Sequence, residues 1–279
     1  MSLPFNLAFS GLSSGLQTKN AVVSNFNKAN GIGYWKFDET SGNLLNKATT
    51  SAGWTNGAGS AGDGTVTGCT YSQSGVVGNS FGFDGVDDEI EAPDDVIWDI
   101  TGNISICGWI KPTNFSNYRT MIAKRVDASN VTFQLGADIT TGRIIWYAGV
   151  EVHHSNTAMT TGVWNFIAMT LTSGNSGTFY LNGSSDGTFT NIGGRTTNTA
   201  SLQIGHSQPT PIEVMIGNID ELSLWSRILT SAEITTLYNG GSGYAIIWLL
   251  LFLLFWGWDN MGSTGTLRNE ILVPKVYCG

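Results

Sequence analysis

Two glutamates in the most acidic stretch of the chain, Asp87-Asp88-Glu89-Ile90-Glu91, have a spacing that suits acid–base chemistry. If this stretch is a β-strand, Glu89 and Glu91 point to the same face, with about 6.6–6.8 Å between them. Cleavage of a glycosidic bond uses two carboxylates that lie about 5–5.5 Å or about 6.5–9.5 Å apart. The pair is therefore the first candidate for catalysis.

The three histidines do not supply a second reactive centre. His153 and His154 are neighbours, so in a strand their rings point to opposite faces and cannot bind one metal ion together. His206 follows Gly205 at the end of another apolar stretch. The chain also lacks a Cys-x-x-Cys pair or a Cys/His cluster that would predict zinc. We assemble no nucleophilic triad from these residues.

Aromatic and polar side chains are concentrated in the predicted hairpin over residues 142–157. Trp146, Tyr147, His153 and Asn156 offer ring faces together with hydrogen-bonding groups. Sites for small polar ligands combine apolar or aromatic surfaces with a few placed polar groups, often on loops. These four residues are the candidate ligand-binding rim, and the alternative is that their side chains serve the fold.

These residues belong to a regular series of short, strand-like segments. Stretches rich in Val, Ile, Thr, Phe, Tyr and Trp alternate with turns rich in Gly, Asn, Asp and Ser. Such a series predicts an all-β protein with a two-sheet antiparallel sandwich or a barrel. The clearest predicted strands are 33–37, 104–110, 142–149, 164–171, 177–183 and 200–205.

Two local signals predict how the segments connect. Asn182-Gly183 is a two-residue hairpin turn, because both residues tolerate positive φ. A short helix begins after Thr230, which can cap its N-terminus while Glu233 reaches back to complete a capping box. Gly240 and the glycine after it end this helix.

The composition excludes some functions. Charged residues make up 12% of the chain and the net charge is −8, whereas globular proteins average about 25% charged residues. Solubility must come from Ser, Thr, Asn and Gly. Nucleic-acid binding is not expected, because it requires a basic patch and the chain has no run of Lys or Arg.

The two ends of the chain differ from its middle. Residues 1–30 form a polar N-terminal arm without a recognisable secretory signal. Residues 244–279 form a C-terminal tail that contains the uncharged apolar run 245–258. As a helix this run would extend about 21 Å, less than the roughly 30 Å hydrocarbon core of a bilayer. Membrane contact, burial against neighbouring subunits and a reading-frame artefact all remain open.

The order of motifs between residues 31 and 243 resembles the laminin-G-like, concanavalin A-like lectin jelly-roll domains. The resemblance implies a jelly-roll sandwich for domain 31–243. Five segments carry it in the order of the family: GYWKFDETSGN (33–43), GVVGNSFGFDGVDDEIEAP (75–93), ISICGWIKP (104–112), GVWNFIAMTL with GTFYLNG (162–183) and GNIDELSLWSRILTSAEITTLYNGG (217–241).

The resemblance also implies a structural Ca²⁺ between the opening segment and the closing Ile-Asp-Glu strand. Asp38 and Asp220 are the carboxylates that correspond, and Asp84 and Asp88 are further candidate ligands, together with Asp87. Calcium prefers six to eight hard oxygen ligands. The alternative is that these acids cap turns through hydrogen bonds of their own.

The same resemblance weakens the catalytic interpretation of Glu89 and Glu91. Some concanavalin A-like proteins are glycanases, but the Glu-x-Asp-x-x-Glu arrangement expected of the laminarinase-like enzymes is missing here. The acidic stretch also occupies a position where the laminin-G pattern has an ordinary turn and strand. We therefore expect a protein without catalytic residues.

The leading hypothesis is a non-catalytic structural or assembly module of a virion or cell surface that also recognises glycans. A free, calcium-dependent carbohydrate-binding lectin is the alternative, and a glycan-cleaving enzyme is the third hypothesis. Expected partners are glycans or surface proteins, and, through the tail, other copies of the chain or neighbouring structural subunits. The predicted location is a virion or the extracellular or cell surface.

Overall fold

The computed structural model describes residues 29–48, 62–191, 193–207 and 213–244. The predicted arm up to residue 28 and the tail from residue 245 lie outside the described residues. The strands are β1 (Gly31–Trp35), β2 (Thr65–Thr67), β3 (Thr70–Ser74), β4 (Asn79–Asp84), β5 (Glu89–Ala92), β6 (Ile104–Pro112), β7 (Arg119–Asp127), β8 (Asn130–Ala137), β9 (Arg143–Ala148), β10 (Glu151–Ala158), β11 (Asn165–Leu171), β12 (Ser176–Leu181), β13 (Ser184–Thr190), β14 (Leu202–Ile204) and β15 (Ile216–Trp225). The helix α1 spans Ser231–Tyr238, and 3-10 turns span Val96–Trp98 and Asn239–Gly241.

Within the described residues, the strands form two antiparallel sheets packed as a sandwich, so the predicted all-β jelly-roll class is confirmed. The eight-stranded sheet has the order β13-β12-β11-β6-β15-β4-β3, and β1 pairs with β15. The seven-stranded sheet has the order β10-β9-β8-β7-β14-β5-β2. The closing strand β15 pairs with β1, β4 and β6 and joins the two ends of the domain.

The main hydrophobic core lies between the sheets. Alternation along each strand sends every second side chain inward. Phe179 joins this core, while Tyr180 points to the other side of its sheet, as the alternation of this strand predicts. Large aromatic side chains fill the core, and Trp35 packs against Trp98 with ring centroids 6.0 Å apart. Aromatic pairs of this kind contribute about 0.5–1.5 kcal/mol beyond their buried area.

A second apolar layer covers the other face of the eight-stranded sheet. Trp109, Phe166 and Trp225 are buried there beneath Ile234 and Leu237 of α1. Tyr238 of the helix stacks on Trp109, with centroids 5.7 Å apart. The helix therefore shields this face of the sheet with an apolar contact.

Most predicted connections and strand positions are confirmed. Asn182 and Gly183 both adopt positive φ and join β12 to β13. The first strand differs, since it spans Gly31–Trp35 rather than residues 33–37. Phe37 has a φ of 59°, a left-handed backbone that cannot continue an extended strand.

The helix N-terminus carries the predicted capping box. The Thr230 hydroxyl accepts a hydrogen bond from the Glu233 amide, and the Glu233 carboxylate accepts one from the Thr230 amide. Arg227 forms an ion pair with Glu233 and holds the carboxylate in place. These contacts satisfy amides that the first helical turn would otherwise leave without partners.

Removing the cap should weaken the apolar layer that α1 covers. We expect Thr230→Ala to lower the free energy of unfolding by about 1 kcal/mol, because one amide of the first turn loses its acceptor. Urea denaturation of the full chain measures this difference. The exposed neighbour Ser231, replaced by Ala, is the control, and an equal loss in both variants would contradict the role assigned to the cap.

Candidate functional site

The turn between β3 and β4, residues 75–79, is held by two carboxylates that come from distant parts of the chain. Oδ2 of Asp220 accepts hydrogen bonds from the amides of Val76 and Val77, at 2.7 and 3.0 Å. Oδ1 of Asp38 accepts one from the amide of Asn79 at 2.9 Å. Gly78 has a φ of 71°, and a Cβ at this position would overlap Oδ1 of Asp38. A glycine is therefore required where the turn meets the carboxylate.

A β-bulge in β15 places a second acid next to Asp220. The pairing with β6 shifts between Asp220 and Ser223, and Glu221 adopts a φ of 49°. The Tyr34 hydroxyl donates a hydrogen bond to Oε2 of Glu221. The bulge thus buries two successive carboxyl groups in the middle of the sheet.

Both buried carboxyl groups have one oxygen without a hydrogen-bond partner. Oδ1 of Asp220 and Oε1 of Glu221 are inaccessible to solvent and unpaired. Burial raises the pKa of Asp220 to about 7, against the opposing effect of the hydrogen bonds from Val77 and Val76. Burial, together with the adjacent Asp220 carboxylate, raises the pKa of Glu221 well above its ordinary value. Unpaired buried oxygens of this kind suit a bound cation.

Lys36 supplies a positive charge at the edge of this group, which we call the Asp38–Asp220 cluster (Lys36, Asp38, Asp220 and Glu221). Its ammonium forms an ion pair with Asp38. Burial lowers the pKa of Lys36, but the contact with Asp38 and the charges of Asp38 and Glu221 outweigh this and raise it. Both oxygens of Asp38 therefore have partners, and the oxygens that remain for a metal ion belong to Asp220 and Glu221.

The predicted metal ligands do not all meet. Asp84 pairs with Ile216, four residues before Asp220 on β15, a separation of about 13 Å along the strand. Asp88 accepts a hydrogen bond from the Asp84 amide at 2.6 Å, and Asp84 accepts one from the Val86 amide at 2.8 Å. These two acids close their own turn. The predicted set therefore divides into the Asp38–Asp220 cluster and a separate turn, in which one carboxylate oxygen each of Asp84, Asp87 and Asp88 lies within 4.8 Å of the others.

The four residues of the predicted ligand-binding rim lie on different sides of the seven-stranded sheet. Trp146 is completely buried and stacks parallel to Phe133 in the core. His153 pairs with Trp146 across the strands, and its ring stacks on Phe189 of β13 with centroids 4.6 Å apart. Asn156 lies beside Gly187, also on the β13 side. Because Trp146 lies in the core, these residues do not form one rim, although His153 is half-buried and Asn156 is exposed.

Tyr147 points to the opposite, outer face of the seven-stranded sheet. It pairs with Gln134 across the strands, and the guanidinium of Arg125 lies 5.1 Å from the centre of its ring. Arg125 also donates to Gln134 at 3.0 Å and forms an ion pair with Glu213. No sequence pattern indicated Arg125, Gln134 and Glu213, because they come from three separate segments and match no motif. We call these residues, with Tyr147 and the exposed His154, the outer polar face.

Comparison with known proteins agrees with this architecture. A laminin G family model, described as the concanavalin A-like lectin/glucanases superfamily, matches residues 84–235. Sushi, von Willebrand factor type A, EGF and pentraxin domain-containing protein 1 of Rattus norvegicus is 27% identical over 143 residues, which are 48% of this chain and 4% of that protein. The Mus musculus protein of the same name matches over the same shares. The chain thus spans a small part of the length of these curated relatives.

Solved structures share the fold at low sequence identity. Domain 4 of AbnA, a GH43 extracellular arabinanase from Geobacillus stearothermophilus in complex with arabinotriose, has a TM-score of 0.56 and 20% identity, over 75% of this chain and 98% of that one. The botulinum neurotoxin serotype D binding domain has a TM-score of 0.55 and 17% identity, over 77% and 53%. Trypanosoma rangeli sialidase has a TM-score of 0.58 and 13% identity, over 81% and 36%. At these identities the likeness concerns the fold.

Asp220 should make the stability of the cation-free protein depend on pH. Its pKa in the folded protein is about 7, compared with 3.8 ordinarily, so the folded state holds this proton more tightly than the unfolded chain does. The resulting stabilisation is complete below about pH 4 and is lost as the pH rises through about 7. In Asp220→Asn the side chain cannot ionise. The free energy of unfolding should therefore fall with pH by up to about 4 kcal/mol less than in the wild-type protein.

Urea denaturation in EDTA at several pH values measures the effect. Asp87→Asn, which replaces an exposed acid in the β4–β5 turn, is the matched control and should keep the wild-type pH dependence. If Asp220→Asn also kept it, folding would not raise the pKa of Asp220, contrary to its burial in the cluster.

Proposed function

The chain belongs to the concanavalin A-like lectin/glucanases superfamily, and on this premise we propose that it is a non-catalytic module that binds glycans in a surface or virion assembly. The observation that carries the proposal is the outer polar face. Tyr147 offers an aromatic ring of the kind that packs against sugars, and the buried guanidinium of Arg125 lies against this ring. They lie on a rigid sheet, which positions them before a ligand arrives.

The hydrogen bonds of the outer polar face support a role in recognition. Gln134 donates to Glu213 at 2.9 Å and to Thr120 at 3.0 Å, and Ser207 donates to Glu213 at 2.7 Å. Arg125 and Gln134 are therefore fixed by several partners. At the margin of this network, Tyr147 is half-buried and His154 is exposed. These two side chains are the groups that a ligand can reach directly.

The arrangement of Glu89 and Glu91 supports a module without catalysis. Both lie on one face of β5, as their spacing predicts. Glu91 accepts a hydrogen bond from Ser201 at 3.1 Å, and Oε2 of Glu89 lies 3.6 Å from Nδ1 of His206. The two carboxylates are gathered with His206 into one small group, whereas glycosidases place theirs on either side of a bound sugar.

Replacement of Tyr147 should weaken glycan binding. On a glycan array probed with the full chain, we expect Tyr147→Ala to reduce the affinity for bound glycans at least about tenfold, because an aromatic anchor contributes more than about 1 kcal/mol. His154→Ala should reduce it as well. His153→Ala is the matched control, since His153 lies next to His154 on β10 but its ring stacks on Phe189 on the other side of the strand.

Two results would contradict this proposal. Uniformly negative arrays would favour assembly over glycan recognition. Hydrolysis of a bound glycan that disappears in Glu89→Gln or Glu91→Gln, detected by mass spectrometry, would overturn the non-catalytic assignment.

We also propose a structural Ca²⁺ in the Asp38–Asp220 cluster. The unpaired oxygens of Asp220 and Glu221 would hold it, and the charge of Asp38 would stabilise it from nearby. Bound calcium would relieve the repulsion between these buried carboxylates and fix β15 to the opening segment and the 75–79 turn.

Calcium should therefore raise the melting temperature of the full chain after EDTA treatment. A ligand at 100 times its Kd stabilises the folded state by about 2.7 kcal/mol. Asp220→Asn should abolish the response, whereas Asp87→Asn should retain it. If neither Ca²⁺ nor EDTA moves the wild-type melting temperature, the calcium proposal is wrong.

The assembly part of the proposal depends on the tail. The run 245–258 lies outside the described residues, so membrane contact and self-association through it stay predictions. In the part of the chain that the structure describes, no helix has the length and hydropathy that a membrane-spanning segment needs. Location at a virion or cell surface likewise stays a prediction.

A further inference from the structure

Glu89, Glu91 and His206 form a compact group on the seven-stranded sheet. Glu89 and Glu91 lie on one face of β5, while Ile90 and Ala92 between and after them enter the core. The strand β14 pairs with β5 and ends at Ile204, and the chain then brings His206 next to Glu89. One ligand atom from each of the three side chains lies within 4.8 Å of the other two.

The backbone holds His206 firmly beside the two carboxylates. The amide of the preceding Gly205 donates to the Met121 carbonyl at 3.2 Å, and the Gly205 carbonyl accepts from the Met215 amide at 2.7 Å. The side chain of His206 is only 12% exposed. These backbone hydrogen bonds to β7 and to the segment that leads into β15 fix the position of His206.

Nδ1 of His206 is buried and has no hydrogen-bond partner. It faces Oε2 of Glu89 at 3.6 Å, which is too long for a hydrogen bond. Two ligands of one tetrahedral ion at about 2.0–2.2 Å from the metal lie about 3.4 Å from each other. The separation is therefore the one expected between two ligands of the same metal ion.

The third side chain, Glu91, is held by a hydrogen bond from a residue outside the group. Oε1 of Glu91 accepts a hydrogen bond from the Ser201 hydroxyl at 3.1 Å. Hydrogen bonds from outside the ligand set commonly orient ligating carboxylates and histidines. Glu89 remains about one-third exposed, so water or a further ligand has access to the metal position.

From this geometry we propose that Glu89, Glu91 and His206 bind one Zn²⁺, with the fourth position open to solvent. One imidazole nitrogen with two carboxylates is a donor set for zinc and related transition metals, whereas Ca²⁺ and Mg²⁺ prefer oxygen alone. Of the two groups of three or more metal-binding side chains in the described part of the chain, this one contains a histidine. The site shares no residue with the Asp38–Asp220 cluster and does not depend on the glycan proposal.

Zinc titration of the full chain tests this site. After EDTA treatment and desalting, isothermal titration calorimetry with Zn²⁺ should show one ion bound per chain. His206→Gln and Glu91→Gln should each weaken the affinity at least tenfold. His153→Gln is the matched control, because His153 lies on the same sheet within 3.1 Å of a single acid, Glu151, and this variant should bind zinc as the wild type does.

Cobalt provides a second readout that does not depend on the heat of binding. Co²⁺ added to the wild-type protein should give a visible absorption spectrum that changes in His206→Gln and in Glu89→Gln, the latter at a partly exposed side chain. Circular dichroism should show the wild-type fold in all variants. Absence of zinc binding to the wild-type protein, or equal affinity in His206→Gln, would overturn the proposal.

Discussion

The contact between the Asp220 carboxylate and the amides of Val76 and Val77 joins the two ends of the domain. Asp220 lies on β15, which pairs with β1, β4 and β6, while the amides belong to the turn before β4. A carboxylate buried in this position keeps its hydrogen bonds only if its charge is neutralised by a proton or a cation. Asp220 therefore fixes the 75–79 turn and also requires a proton or a cation to neutralise its charge.

Buried charged groups also constrain the seven-stranded sheet. The fully buried Lys124 of β7 is paired with Asp94 and Asp99 and donates to the Ala200 carbonyl at 2.9 Å. The next residue, Arg125, points into the outer polar face. Removing one partner of a buried ion pair leaves an uncompensated charge and destabilises a protein by about 3–5 kcal/mol. These cations thus constrain where β7, β14 and the segment near residue 213 can lie.

Local patterns in the sequence were sufficient for much of the fold. The Asn182-Gly183 turn and the Thr230–Glu233 capping box depend on neighbouring residues, and both are found as predicted. The rim around Trp146 could not be predicted in the same way. Residues 144–148 are almost uniformly apolar, so the sequence does not indicate which of Trp146 and Tyr147 faces the core.

The sites posed a different difficulty, because their residues meet only through strand pairing. Asp38 and Asp220 were brought together by the family resemblance, but the resemblance did not separate them from Asp84 and Asp88. The sequence around His206 does not indicate its role, since the neighbouring Glu89 and Glu91 are more than 100 residues away in the sequence. A β-bulge, which no local pattern predicted, was also needed to bury Glu221 beside Asp220.

The two outer faces of the sandwich differ in what they can offer to a ligand. Helix α1 and its apolar side chains shield the eight-stranded sheet, so that face contributes to stability. The seven-stranded sheet instead carries Tyr147, Arg125 and His154 on its outer side, and Glu89 and Glu91 further along the same sheet. Polar groups fixed on a rigid sheet lose little freedom when a ligand binds. On the functions proposed above, glycan recognition would use the seven-stranded sheet, whereas a cation bound at Asp220 would stabilise the eight-stranded sheet.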